Sequence, residues 1–292
     1  MLMPITAIVT ACARVDHLLQ TLTALEGCEP APAEILVHVD GRNAACEAAV
    51  QRAHPRVRVL VSDRIVGPGG GRNLLLAAAT HPIVASFDDD SRPIDRDYFA
   101  RLAEVIDRVP DAAVVGAAVY HRHETVAEAT RAAAWTADFA GGACAYRRER
   151  FLDSGGYVPL ETAYGMEEVD LALRLHAQGW RVLHTPWLRV FHDTDLARHA
   201  DPRVTAASIA NLALLAYLRY PITMWVVGAG QIVNRIRWLL GHGRGRGVMS
   251  GLARIPSTLR SHRGYRHTVP ASAVRSYLRL RRNPVVVPLG DA

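Results

Sequence analysis

Short apolar runs alternate with helix-period stretches through the first 120 residues of this 292-residue chain. Runs at 5–10, 34–40, 57–61 and 83–87 have strand length, and the stretches between them at 16–25, 44–53 and 71–79 place apolar residues at helical spacing. Strands spaced by helices of this length predict an α/β fold with a mostly parallel central sheet and flanking helices. Such sheets bind ligands beyond the carboxyl ends of their strands, so the polar residues there come first for inspection. A second group follows: a strand at 112–119, a Gly-led apolar segment at 142–146, a turn at Gly155-Gly156, a helix at 167–178 and strands near 181–184 and 188–191. From residue 201 the pattern turns helical, with 205–219 stopped by Pro221, then 222–240, a Gly- and Arg-rich loop at 241–247 and a basic end. The predicted organisation is one α/β domain over 1–200 and a C-terminal helical, Arg-rich extension over 201–292.

Composition sharpens that division. Apolar residues make up 50% and charged residues 21%, enough for a core and against wholesale disorder. The net charge of +6 conceals a split: residues 201–292 hold 14 arginines and two acids, a net of +12, and the rest of the chain is acidic. No lysine occurs. An acidic body with a basic tail implies different partners for the two parts. The apolar stretch 209–233 is interrupted by Arg219, Pro221 and Gln231 and does not supply the ~20 clean residues of a membrane span. Trp225 and Trp238, the latter beside Arg235 and Arg237, fit amphipathic helices at an anionic membrane surface; they fit equally well helices packed on the domain with solvated arginines. No aromatic-basic recognition module accompanies the charge, which argues against nucleic acid. Cys12, Cys28, Cys46 and Cys144 lack zinc or disulfide spacing, and the N-terminal apolar run lacks a basic flank. Both features point to the cytoplasm, with at most a peripheral place on the inner face of the cell membrane.

Four local patterns carry chemistry. Phe87-Asp88-Asp89-Asp90 ends an apolar run, and three adjacent carboxylates gain from a nearby divalent cation such as Mg2+ or Mn2+; a solvated acidic turn capping a helix near Asp95 is the alternative. Gly165-Met166-Glu167-Glu168-Val169-Asp170 opens an amphipathic helix, where acids interact favourably with the helix dipole and one could also serve as a general base. Phe191-His192-Asp193-Thr194-Asp195 closes a late strand and offers an imidazole that could complete a metal site. Gly67-Pro68-Gly69-Gly70-Gly71-Arg72-Asn73 combines glycines for close backbone approach to phosphate with a fixed positive charge, or is a flexible loop; it is neither a Walker loop nor a Rossmann fingerprint.

The order of these patterns is more specific than any one of them. Thr10 and Ala11-Cys12-Ala13-Arg14, Asp40, Gly71-Arg72-Asn73, Asp88-Asp89-Asp90, Gly155-Gly156-Tyr157, Tyr164-Gly165-Met166-Glu167-Glu168-Val169-Asp170-Leu171, Gly179-Trp180-Arg181-Val182 and Phe191-His192 follow one another as in the family-2 glycosyltransferases of GT-A fold. The resemblance runs from about residue 5 to 195. It implies an inverting transfer from a nucleotide-diphosphate sugar, a UDP- or dTDP-sugar, with Mg2+ or Mn2+ bound. Thr10 and Asp40 fall where this family holds base and ribose, and Arg14, Arg72, Asn73, Asp88 and Asp89 complete the implied donor-binding set. Asp88-x-Asp90 matches the family's DXD element and His192 its late metal-binding histidine. Glu168 stands where the family usually has the aspartate of a Glu-Asp pair, its catalytic base; Glu167 and Asp170 compete for that role. The acceptor, whether glycan, lipid-linked or a small molecule, has no signature in the sequence. Rival readings are a sugar-nucleotide pyrophosphorylase, which would want a glycine-rich loop after the first strand, and a non-catalytic nucleotide-sugar-binding scaffold at a membrane.

Overall fold

Alternation along the first strands sets the two faces of the sheet. In β1 (Met3–Ala11), Ile5, Ala7, Val9 and Ala11 join one core cluster and Ile8 the other; in β2 (Pro32–Val39), Ile35, Val37 and Val39 join the first and Leu36 the second. After β3 (Arg58–Val61) the pattern recurs in β4 (Ile83–Asp88), with Ala85 and Phe87 on one side and Val84 on the other. This is the side-chain period of two in a sheet covered on both faces. The helices α1 (Val15–Glu26), α2 (Ala44–Ala53) and α4 (Tyr98–Arg108) contribute to the first cluster, and α3 (Gly67–Ala78) to the second.

The computed structural model describes residues 2–12, 14–160, 162, 164–193 and 201–289; Ala13, Thr194 and Asp195 of the sequence patterns above lie outside the described residues. Next come β5 (Ser91–Pro93), β6 (Ala112–Tyr120), β7 (Ala132–Thr136) and β8 (Ala143–Arg147). They are followed by α5 (Arg148–Asp153), α6 (Glu167–Ala177) and β9 (Arg181–His192). The chain ends with α7 (Pro202–Arg219), α8 (Trp225–Gly241), α9 (Val248–Ser261), α10 (Ala271–Arg282) and β10 (Val285–Pro288). Among the described residues one sheet runs β10-β7-β9-β6-β8-β4-β1-β2-β3, with β5 paired to β9. The β3-β2-β1-β4 part is parallel as predicted; β8 enters antiparallel between β4 and β6, and β6 and β9 are again parallel.

Three differences from the sequence expectation have local causes. The two late strands expected near 181–184 and 188–191 are one strand, β9. Its pairing with β6 steps from Thr185 to Arg189, so Pro186, which has no N–H for a ladder, sits in a bulge. The expected glycine loop before the third helix is instead its first turn, because Pro68 suits a helix start and Asp40 accepts hydrogen bonds from Val66 N (2.8 Å) and Gly67 N (3.0 Å). The alanine-rich β7 and the tail strand β10 escaped the pattern, and they pair with each other antiparallel.

The residues after 201 close back on the rest. α7 is apolar nearly all round and buried: Leu214, Leu215 and Leu218 pack on Val158, Leu160 and Met166, just ahead of α6. Tyr277 of α10 donates to Ala137 O (2.5 Å), and Ser276 meets His176 of α6 (2.8 Å). Among the described residues no helix is long and apolar enough to cross a membrane.

Candidate active site

The parallel register brings the first polar group together. Thr10 stands opposite His38 on β2 and Asp88 on β4, at the carboxyl ends of three neighbouring strands, and Thr10 Oγ1 donates to Asp88 Oδ1 (3.1 Å). A side pocket of about 500 Å³ forms there, lined by Thr10, Cys12, Arg14, His38, Asp40 and Asp89 among others. His38 is a buried residue the sequence reading passed over. Burial lowers its pKa, and neither ring nitrogen has a hydrogen-bond partner among the described residues. Its signal was the alternation Leu36, His38, Asp40, which places it on the same side of β2 as the aspartate at its end.

The three aspartates are individually committed. Arg14 pairs with both Asp89 and Asp90, which are almost fully buried, and Arg72 pairs with Asp88, which is not. β5 places Ser91 opposite His192 at the end of β9, carrying the late histidine to Asp90 across 102 positions of sequence (Nε2 to Oδ1, 3.1 Å). Ligand atoms of Asp88, Asp90 and His192 all lie within 4.8 Å of one another. Burial would raise the Asp90 carboxyl, yet the hydrogen bond from His192 and the Arg14 guanidinium hold it down at about 2. At Asp89 burial prevails over Arg14 and the value rises to about 6. Burial works against charge on His192, but the hydrogen bond to Asp90 and the charges of Asp88 and Asp90 raise its pKa. Two carboxylates and an imidazole are a donor set that suits Mn2+, and the carboxylates suit Mg2+.

The acids of α6 divide by helical position. Asp170 points away from the sheet edge and is fully buried between Arg174 (Nε to Oδ2, 3.0 Å) and Arg219 of α7 (Nη2 to Oδ2, 3.2 Å). Its oxygens are saturated by guanidinium groups, so the structure does not bring it to the other candidates. Glu167 and Glu168 face the sheet edge. Glu167 accepts from Gly69 N (3.2 Å), and any side chain at Gly69 would collide with it, which is the reason for a glycine there. Burial and the neighbouring Glu168 push Glu167 well above the usual carboxylate range, against the pull of Arg72. Glu168 is also raised by burial, opposed chiefly by Arg72 and further by backbone N–H groups including that of Gly141. A Cβ on Gly141 would stand 2.7 Å from Glu168 Oε1 and 3.0 Å from the Arg72 guanidinium, so the strand-end glycine leaves room for both. Arg72 is thus a buried cation between Asp88 and Glu168. Asn73 is spent elsewhere: its side chain makes two hydrogen bonds with the Tyr157 backbone (2.8 and 2.9 Å) and lines neither pocket.

A cleft of about 990 Å³ unites Arg72, Asp88, Glu167, Glu168 and His192. It shares Pro68 and Asp88 with the side pocket. Its far wall is tail sequence: Gln231, Asn234, Arg235 and Trp238 lie at helical spacing on α8, with Ser208 and Leu212 from α7 and Arg281 from α10. Arg235 stacks over the Trp238 ring (4.9 Å). The basic charge of the tail hides this role, although the spacing i, i+3, i+4, i+7 of these four residues marks one helix face.

The sequence matches the family model described as glycosyl transferase family 2 over residues 6–156, just over half of the chain. The chain belongs to glycosyl transferase family 2. A search of curated proteins finds no match. Among solved structures, this family-2 chain resembles the mannosyltransferase PcManGT from Pyrobaculum calidifontis in complex with GDP-Man and Mn2+, with a TM-score of 0.59 and 19% identity over 97% of this chain and 84% of that one. It also resembles S. aureus TarS 1–349 in complex with UDP-GlcNAc, with a TM-score of 0.55 and 13% identity over 90% and 92%. A third likeness is GalNAc-T7 with UDP, GalNAc and Mn2+, with a TM-score of 0.59 and 14% identity over 76% of this chain, which spans 49% of that one. At these identities the likeness establishes the fold, the GT-A arrangement expected from the motif order, and the family-2 assignment sets aside the pyrophosphorylase reading.

Proposed function

We propose that this family-2 glycosyltransferase moves a sugar from a nucleotide-diphosphate donor to an acceptor hydroxyl with inversion, using a divalent metal at Asp88, Asp90 and His192 and Glu168 as general base. The observation that carries the reading is that Asp88, His192, Arg72 and Glu168 line one cleft, which shares Asp88 with a pocket of about 500 Å³ bearing Thr10, His38 and Asp40. The side pocket takes the nucleoside, and the shared aspartate marks where the diphosphate crosses into the main cleft. Similar structures hold UDP or UDP-GlcNAc in two cases and GDP-Man in one, two of them with Mn2+, and we assign a UDP- or dTDP-sugar as donor here.

A divalent ion at this site would supply Lewis-acid stabilisation of the departing diphosphate. The chain's own residues do the rest. A sugar hydroxyl is a poor nucleophile, and Glu168, at the floor of the cleft, accepts its proton as the new bond forms. Arg72 favours the ionised form of that base and adds positive charge beside Asp88. Gly141 leaves the base and the guanidinium side by side. Asp170, fixed by two arginines, holds the helix that carries the base. The acceptor enters along the wall made by α8, whose aromatic and cationic residues Trp238 and Arg235 suit a glycan or a glycan-bearing carrier, and the Arg-rich extension rests on an anionic membrane surface.

The test is a thermal-shift and turnover panel of UDP-, dTDP- and GDP-sugars with Mn2+, Mg2+ or a chelator. The expected outcome is stabilisation by UDP- or dTDP-sugars and metal-dependent release of nucleoside diphosphate. Donor binding with no metal-dependent turnover under any acceptor would leave the scaffold reading in its place.

A further inference from the structure

The helix that walls the cleft has a second face that nothing among the described residues covers. On α8, Gln231, Asn234, Arg235 and Trp238 turn to the cleft. At about 100° per residue, Val226, Val233, Arg237 and Leu240 fall on nearly the opposite side, in line with Ile222 one turn before. The aliphatic members of this stripe are open to solvent: Ile222 is 71% exposed, Val226 77%, Val233 55% and Leu240 58%. A soluble surface scatters such residues singly; here three share one helix face and Ile222 extends it from the preceding turn. Trp225, partly exposed and stacked by Arg266, stands at one end of the stripe. At the other end Arg237 lies within the stripe and the exposed Arg246 follows in the next loop.

We propose that this stripe of α8 is a docking face for an anionic lipid bilayer, on which the helix lies without crossing. The inference deepens the membrane reading of the extension and assigns it a surface. Charge complementarity selects the occupant: residues 202–289 contain 14 arginines and no acidic residue, so the face calls for an anionic partner, and a second copy meeting it through the same face would oppose like charge with like charge. An aliphatic strip flanked by an aromatic residue and arginines is the composition of an interfacial helix, whose apolar face enters the acyl boundary while cations meet anionic headgroups. No helix among the described residues is long and apolar enough to span, in keeping with a helix that lies in the interface. Because the same helix walls the cleft, docking would hold the active site at the membrane surface.

The test is flotation of the full chain on phosphatidylcholine–phosphatidylglycerol vesicles and on pure phosphatidylcholine vesicles, comparing wild type with Val226→Asp/Val233→Asp. Melting temperature and metal-dependent donor hydrolysis are read on the same samples. The wild type should float with the anionic vesicles and be released by salt, and each aspartate should weaken partitioning by about tenfold as a valine-sized apolar contact is lost. Neither the melting temperature nor hydrolysis should change. The proposal is overturned if the wild type ignores anionic vesicles, if the double variant floats equally well, or if light scattering finds a dimer that the variant dissociates. Flotation without hydrolysis would uphold the docking face and remove the catalytic reading. Hydrolysis without flotation would do the reverse.

Discussion

Two acid-rich runs meet across the cleft, and they are neutralised in opposite ways. At the end of β4, Asp88, Asp89 and Asp90 are matched by Arg72, Arg14 and His192, so positive charge is already gathered around them. At the start of α6, only Asp170 has that treatment, from Arg174 and Arg219. Glu167 is buried and Glu168 half-buried, with a single guanidinium between them and Asp88, and their affinity for protons rises accordingly. In the first run the cations hold Asp90 down at about 2 while burial lifts Asp89 to about 6; in the second, burial lifts both glutamates above their ordinary value. A charge count along the sequence would call the two runs alike. Burial and arginine placement separate them.

The largest effect that tests this contrast is at Glu168. Glu168→Gln removes the proton acceptor proposed above and keeps the shape, so transfer should fall by about two to four orders of magnitude while donor affinity holds, measured as kcat and as nucleotide-sugar binding. Turnover within a few-fold of wild type would shift the base to Glu167 or to solvent and erase the functional half of the comparison.

Next in size is Asp170, the acid of the same helix that is solved like the β4 run. Asp170→Ala leaves Arg174 and Arg219 buried without their counter-charge, and removing one member of such a group costs about 3–5 kcal/mol. The urea midpoint should drop strongly, and at temperatures where the variant is folded it should keep measurable transfer. A variant with wild-type stability and no transfer would make Asp170 part of the chemistry and not of the scaffold.

That the two runs meet was legible before any coordinates; the contrast between them was not. The aspartate run, the late histidine and the Glu-Glu pair could be placed near one another because each closes or opens an element at the carboxyl edge of an α/β sheet, where topology alone brings strand ends together. Which acid of α6 is a staple was out of reach. Positions 167, 168 and 170 all lie in one helical turn, and the partner that settles Asp170 is Arg219, 49 residues away on another helix. His38 hid behind Asp40 for a different reason: the alternation puts it on the aspartate's side of β2, but only the neighbouring strands and α3 show that a pocket lies there. The tail posed the hardest problem, since charge set it apart from the body, whereas packing of α7, pairing of β10 and the cleft-lining side of α8 join it to the site. Charge is a long-range property, and it does not report which faces of a helix are covered.

The smallest and most diagnostic effect is at Glu167, because it reads the proton affinity of the α6 run without touching Glu168. Around this carboxyl stand the Gly69 N–H from α3, the Arg72 guanidinium from the same helix, Glu168 beside it and Asp88 across the cleft. Burial and Glu168 outweigh the other favourable partners, so the folded protein binds this proton more tightly than the unfolded chain, where a glutamate titrates near its ordinary value of about 4.3. A group with a raised folded-state pKa lends its full stabilisation below the unfolded value and loses it as pH rises through the folded one. Wild type should therefore surrender stability between mildly acid and neutral pH. Glu167→Gln, neutral throughout and still able to accept the Gly69 N–H through its amide oxygen, should not. The melting temperatures of the two proteins should lie close together in acid and separate towards neutral pH with the variant higher, even though its transfer rate remains well above that of Glu168→Gln. Parallel melting profiles across that range would mean that Glu167 is ionised at little expense, and the distinction between the cation-matched run and the burial-raised pair would then rest on Glu168 alone.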